Sequence, residues 1–240
     1  SPIQPFSISS AVYDPTAGIV TATIGEHNFM TGVSIQISPE SLSFRCGLDT
    51  YQSLHYYPRS SDPGFTTAVS IASTSANSIS FQVLASQPST NISTHHFVPH
   101  EGLTAESGTQ YDGTVGIMTV TSSGHGLSNG DYVFFETGAV SFTCAKDDYC
   151  TTHAYPRETD PYSGKWIKVS NVTTNTFRVN SMKSPDTSDH IFASGVTGAI
   201  KRSQIHGGGA YGHTFQAAGV GSMDQKRDRA FDQAIGIHSV

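Results

Sequence analysis

Apolar and polar residues alternate along this chain in short runs, with turn-forming residues between them, and that pattern predicts strands rather than helices. Ile117–Thr121 alternates, residues 124–130 (Gly-His-Gly-Leu-Ser-Asn-Gly) turn the chain, and residues 131–135 begin the next strand. These two runs are expected to pair as a hairpin with a long connection. Val140–Cys144 and residues 166–169 and 176–179 supply further strands. Such short strands, separated by turns, indicate an all-β chain of small barrels or sandwiches. Only the C-terminal end has a helical signature. Ser222 and Gln225 form a capping box, residues 224–235 run up to Gly236, and the apolar Ala230, Phe231, Ala234 and Ile235 gather late. A helix of this kind is marginal by itself and is expected to dock on a neighbour or lead into further sequence.

Shifted by 98 residues, the chain matches itself without a gap. From Tyr13 to Val83 there are 21 identities in 71 positions, about 30% and far above chance. The pairs include Tyr13/Tyr111, Gly18/Gly116, His27/His125, Phe44/Phe142, Cys46/Cys144, Asp49/Asp147 and His55/His153. Gly32 and Gly130 each precede a strand, which predicts a positive φ there. Towards the end the register is open, because a shift of two would pair Phe81 with Phe177 and Val83 with Val179. Each copy then runs into a His-x-Phe segment, at His95 and at His190, and a third stands alone at His213. The expected organisation is an N-terminal arm (1–12), a first β module (13–100), a linker (101–110), a second β module (111–200), and a Gly-rich strand segment with the C-terminal helix (201–240). Repetition of a whole module favours a rod or an array over a single globular enzyme.

The run from Ser141 through residues 155–161 (Tyr-Pro-Arg-Glu-Thr-Asp-Pro), with its earlier copy, resembles repeats in virion structural and tail-fibre-like proteins of tailed phages that infect cyanobacteria. The loop from His125 to Asp131 is similar to one that recurs in small β modules of phage tail fibres and baseplate-associated proteins. In the first copy, residues 27–33, the His and the second Gly persist while the first Gly and the Asp do not. The resemblance covers residues 13–200. It implies a structural component of a tail fibre or similar appendage, assembled in the host cytoplasm and carried on the virion exterior. Its partners would be other virion proteins, and a host-surface glycan is a candidate ligand. The alternatives are a capsid decoration protein and, from another class, a secreted carbohydrate-binding adhesin. Tyr51, Tyr149, Tyr155, Tyr162 and Trp166 would suit sugar stacking and would equally suit packing. Small β modules in a row expose strand edges, and the low charge content offers few lysines to protect them. A homo-oligomer is therefore expected, with a trimer favoured by analogy with phage fibres.

Composition narrows the picture mainly by exclusion. Thirteen Lys and Arg stand against 19 Asp and Glu, for a formal net charge of -6, and the basic residues are scattered apart from Lys201-Arg202 and Lys226, Arg227 and Arg229. Phosphate neutralisation needs a dense basic face, so no nucleic-acid partner is expected. Ser and Thr fill 59 of 240 positions, which reinforces strands and turns. No apolar run approaches the roughly 18 to 20 residues that span a bilayer, and no membrane insertion is expected. Three cysteines are too few for a disulfide framework, in keeping with assembly in a reducing compartment. The sequence opens on Ser rather than Met, which reads as a processed product or part of something longer.

Among polar motifs, the repeated Tyr-Pro-Arg-x-x-Asp-Pro is the clearest. Tyr57, Pro58, Arg59, Asp62 and Pro63 recur as Tyr155, Pro156, Arg157, Asp160 and Pro161. The prolines bracket a stiff loop across which Arg and Asp are close enough to pair, so these ten residues are assigned a structural role. Cys144, Cys150 and His153 have a metal-like spacing, but the position of Cys150 is Gln52 in the first copy, and no metal is expected. Histidines repeated with the module read as turn and strand positions. Asp147 and Asp148 are neighbours on one loop, not a pair across a cleft as glycoside hydrolysis requires. Residues 207–212 satisfy G-x-G-x-x-G without a surrounding βαβ unit, and residues 206–209 (His-Gly-Gly-Gly) lack a nucleophile elbow elsewhere. The segment reads as a Gly-rich connection. No catalytic residue and no cofactor is expected.

Overall fold

The computed structural model of the chain describes residues 3–84, 93–185 and 187–208. The helix expected at 224–235 and the third His-x-Phe segment at His213 lie outside the described residues. The strands of the first half are β1 (Ile3–Phe6), β2 (Ser10–Asp14), β3 (Ile19–Thr23), β4 (Ser34–Ile37), β5 (Leu42–Cys46), β6 (Leu54–Tyr57), β7 (Val69–Thr74), β8 (Ser78–Gln82) and β9 (His95–Val98). Those of the second are β10 (Gln110–Asp112), β11 (Ile117–Thr121), β12 (Tyr132–Phe135), β13 (Val140–Cys144), β14 (Thr152–Tyr155), β15 (Trp166–Ser170), β16 (Thr176–Asn180) and β17 (His190–Gly195). Two short strands follow, β18 (Ile200–Arg202) and β19 (Ile205–Gly208). The chain is all-β, and its larger sheets curl as half-barrels.

Four antiparallel sheets result. A seven-stranded sheet runs β1-β19-β4-β7-β8-β3-β2 and a six-stranded sheet runs β10-β11-β16-β15-β12-β18. Two three-stranded sheets, β6-β5-β9 and β14-β13-β17, accompany them. Strand registers keep the 98-residue offset as far as β8 and β16: Val20 faces Phe81, and Met118 faces Val179. The alternative register for Phe81 is thereby resolved. At the His-x-Phe strands the offset falls to 95, because Phe44 faces Phe97 and Phe142 faces Phe192. Gly32 and Gly130 have φ of 86° and 97°, the left-handed geometry that a residue without Cβ adopts freely.

The hairpin expected between β11 and β12 does not form. β11 pairs with β10 and β16, while β12 pairs with β15 and β18. The reason is the tight connection between β15 and β16, where the Thr173 hydroxyl accepts from the Asn175 and Thr176 backbone N–H groups. That turn forms the local hairpin, which inserts between β11 and β12, and the long Gly-rich loop lets the chain step over it.

Alternation places one apolar face of each sheet inward. Val20 and Ala22, Ile35 and Ile37, and Ile79 and Phe81 build the first core, while Met118 and Val120, Val133 and Phe135, and Phe177 and Val179 build the second. Each large side chain so buried contributes roughly 1.5–3 kcal/mol. Residues 101–110, expected as a joint, are packed rather than loose: Leu103 and Ile200 exchange backbone hydrogen bonds at 2.7 and 3.0 Å.

The halves are stitched by residues 200–208. β18 closes the second large sheet beside β12, and two residues later β19 lies against β4 of the first. Gly207 therefore belongs to a central strand and not to a connection. A Cβ there would come within 2.6 Å of the Phe29 ring, so the ring lies on bare backbone. Between β18 and β19, Gln204 is buried and ties three segments together. Its Oε1 accepts from Ile8 N at 2.8 Å, its Nε2 donates to Ser41 O at 2.6 Å, and its backbone N donates to Phe6 O at 2.9 Å. Beside it, the buried Arg202 places Nη1 at 3.1 Å from His100 Nε2 and 3.4 Å from His125 O.

Candidate functional site

Each three-stranded sheet continues into the same local path. After β5 the chain makes a 3-10 turn at Gly47–Asp49, passes through Thr50 and Tyr51 at positive φ, and returns as β6. After β13 it turns at Ala145–Asp147, passes through Asp148 and Tyr149 at positive φ, and returns as β14. Both returning strands end in a cis X-Pro bond, Tyr57-Pro58 and Tyr155-Pro156. Arg59 then donates through Nε and Nη2 to the Asp62 carboxylate, both at 2.9 Å, and Arg157 donates to Asp160 at 3.2 and 2.8 Å. The backbone N–H of each Arg joins the same carboxylate. Burial alone would raise the Asp62 carboxyl, but the hydrogen bonds and charge of Arg59 hold it below the usual carboxylate range.

These loops wall two clefts, of about 430 Å³ in the first half and about 530 Å³ in the second. Both fall within the roughly 300–1,000 Å³ of small-ligand sites. Tyr13, Phe44 and Tyr57 give the first its aromatic lining, and Tyr111, Phe142 and Tyr155 the second. Burial, helped by the Asp62 charge, pushes the Tyr57 hydroxyl up to about 12, and burial raises Tyr155 as well. The Tyr57 hydroxyl donates to Pro63 O at 2.5 Å. That of Tyr155 is buried without a partner among the described residues.

The polar walls match in the same way. Asp49 Oδ2 lies 3.9 Å from His55 Nε2, and Asp147 Oδ2 lies 3.6 Å from His153 Nε2. Both separations exceed a hydrogen bond. In the second cleft the Thr151 hydroxyl donates to Asp147 and sits 3.2 Å from His153 Nε2, so a hydroxyl occupies the space between carboxylate and imidazole. Hydrogen bonds from Ser53 and from Thr151 lower the Asp49 and Asp147 carboxyls respectively. The other carboxylate oxygen of each Asp, and Nδ1 of His95 and of His190, have no partner among the described residues. Burial also lowers His95.

Fourteen residues line the first cleft, and nine have an identical counterpart in the second, counting His95/His190. The apolar core behaves otherwise. Of its fifteen buried positions with a counterpart 98 residues on, only Phe44/Phe142 is identical. A core position needs apolar volume of about the right size, and many residues supply it. Some cleft identities have a structural job, as in the Arg–Asp loops. His55 and His153 are half exposed and stand beside Asp49 and Asp147.

Sequence reasoning assigned the repeated histidines to turns and strands, and for His27 and His125 that is so. Their Nδ1 atoms accept from Phe29 N and Leu127 N, and their Nε2 atoms lie 3.2 and 3.3 Å from the Ser78 and Thr176 carbonyls. His55, His95, His153 and His190 lie in strands β6, β9, β14 and β17, as expected, and from there they also line the clefts. A signal was present: eleven of the 21 identities crowd into the 21 positions from Ser43 to Pro63. Of the aromatic residues suited to stacking, Tyr155 lines the second cleft, Tyr51 stacks on His96 at 4.2 Å, and Trp166 packs on Phe134 at 5.7 Å. Cys144 is buried and Cys150 exposed, all three cysteines are free thiols, and no metal-binding cluster of His, Cys, Asp or Glu occurs among the described residues. No protein-family model, no curated protein and no solved structure matches the chain.

Proposed function

We propose that the chain is a structural component of the exterior of a phage particle, part of a tail fibre or similar appendage, built from two tandem copies of one small β module and meeting the host surface through its paired clefts. The observation that carries the reading is the recurrence of one cleft, with its Tyr, Asp, His and Arg side chains, in two halves whose cores have diverged. Two copies of one recognition surface on a single chain suit attachment, where avidity multiplies weak contacts. The resemblance of both repeats to those of tail-fibre-like proteins supports the same reading, and that resemblance with fibres favours a homotrimer. An enzyme would need only one such site.

The test is localisation. Antibody against the purified chain should label intact particles on the appendage, in cryo-electron micrographs. Label spread evenly over the capsid would replace the fibre by a decoration protein. Absence from purified particles would defeat the virion assignment altogether.

A further inference from the structure

We infer that the outer face of the second large sheet docks an acidic segment of another protein, whose carboxylates meet Lys168, Arg178 and Lys201 and whose apolar side chains lie on Tyr132, Phe134 and Trp166. Strand alternation sends these six side chains to one side of the sheet, because their neighbours Val133, Ile167 and Phe177 fill the core on the other. The registers bring them together. Phe134 faces Trp166 on β15 and Lys201 on β18, and Tyr132 faces Lys168. The Phe134 and Trp166 rings stand 5.7 Å apart, tilted against one another, and all three aromatic residues stay partly exposed. Arg178 lies one strand further on, in β16, and is exposed like Lys168.

The first half supplies the control. Ninety-eight residues earlier the same places hold Ser34, Gln36, Ala68, Ser70 and Ser80, with Ser34 facing Ser70 as Tyr132 faces Lys168. His206 stands opposite Gln36 where Lys201 stands opposite Phe134. The first half thus closes its core with neither ring nor charge at five of the six places, so the fold does not call for them in the second. None of the six lines either cleft, and the inference goes beyond the reading of the clefts without resting on it. Aromatic residues and Arg are the types that gather at protein contact surfaces. Charge then selects the partner. Lys201 pairs with Glu136 at 3.3 Å, but Lys168 and Arg178 form no ion pair with another described residue. A second copy docked by the same face would set these cations against their own like. A nucleic-acid strand carries a charge at every nucleotide, of which three cations on a chain of net charge -6 neutralise few. A protein segment with carboxylates between apolar side chains matches both the rings and the cations.

The test titrates the full chain with a random copolymer of glutamate and tyrosine, read through the fluorescence of Trp166, the only tryptophan in the chain, excited beyond the absorption of tyrosine. A saturable change in emission is expected. Raising the salt from about 0.1 M to about 1 M, which contracts screening from roughly 10 Å to 3 Å, should weaken binding at least tenfold. Lys168→Gln combined with Arg178→Gln should weaken it as much with all three rings in place, whereas Ser70→Gln, at the matching place of the first half, should leave it unchanged. These side chains are exposed, so the variants should unfold at the temperature of the parent, and that measurement accompanies the titration. No response to the copolymer, binding indifferent to salt, or binding that survives in the folded double variant would overturn the inference. Tighter binding of an oligodeoxythymidine than of the copolymer would overturn it too, and would make the face a nucleic-acid site. Appendage labelling is independent: its failure with copolymer binding intact removes the virion reading alone.

Discussion

The first half of the chain and the second share their cleft residues but not their core residues, and the difference separates what the fold tolerates from what the clefts demand. Ile79 is replaced by Phe177 and Phe81 by Val179, so bulk has changed places along the paired strands β8 and β16 while both cores stay closed. Around the clefts, Asp49, His55, Arg59 and Asp62 recur unchanged. The clefts differ at their rims. Leu48 and Tyr56 of the first become Lys146 and Ala154 in the second, so the second rim is more basic and less aromatic around the same set of polar groups.

The largest effect should come from the exchanged bulk. Phe81→Ala should destabilise by about 3–5 kcal/mol, whereas Val179→Ala, which removes fewer carbons from the matching place, should lose about 2 kcal/mol. Urea denaturation of the two variants measures both, and equal losses would show that the cores do not differ in the way their sequences indicate.

Acid should act most at the joint. Burial, followed by the Arg202 charge, lowers His100, and burial lowers His206 and His125. Each binds its proton less readily folded than unfolded, so the unfolded chain holds more protons below its ordinary value near 6.5. Stability is then fully present above about pH 6.5 and declines as the pH falls towards the folded values. His100→Ala should remove its share of that slope, and at pH 7 should cost about 1 kcal/mol through its lost hydrogen bond to Arg202, since His100 is exposed and Arg202 keeps its bond to His125 O. Unfolding midpoints between pH 5 and 8 decide it; an unchanged slope in the variant would place the acid sensitivity elsewhere.

The smallest effect concerns the paired loops. Removing Arg59 leaves a carboxylate whose side chain is 3% exposed, while removing Arg157 leaves one that is 13% exposed. Both arginines are largely exposed, so each loss should be about 1 kcal/mol or less, with Arg59→Ala the more costly. A reversed order by thermal unfolding would mean that the loops are held by something other than the ion pair.

Much of the strand pattern was legible because it is local. The alternation of β11 and the Gly before β12 predicted the strand and the positive φ. Partner choice was not, since β16 displaces β12 from the side of β11 through a turn some fifty residues later. Residues 206–212 read as a Gly-rich connection because glycine carries no side chain to show an inward face, yet at Gly207, within β19, it is that lack which admits Phe29. The Tyr-Pro-Arg-x-x-Asp-Pro loops could be read as stiff, but not as walls: a cleft arises from segments far apart in the chain, such as Asp49, His55 and His95.

Strand β19 ties the order of folding to the order of synthesis. Its partner β4 leaves the ribosome about 170 residues earlier, and the place beside β4 stays unfilled until residues 205–208 emerge. An unpaired edge at that stage invites pairing with other chains, and so distant a contact slows final closure. A nascent first half must therefore wait, collapsed but unfinished, for β19 to arrive. Chains cut short before Ile205 should associate through the bare edge of β4, so translation past Gly208 becomes the condition for releasing a well-behaved molecule.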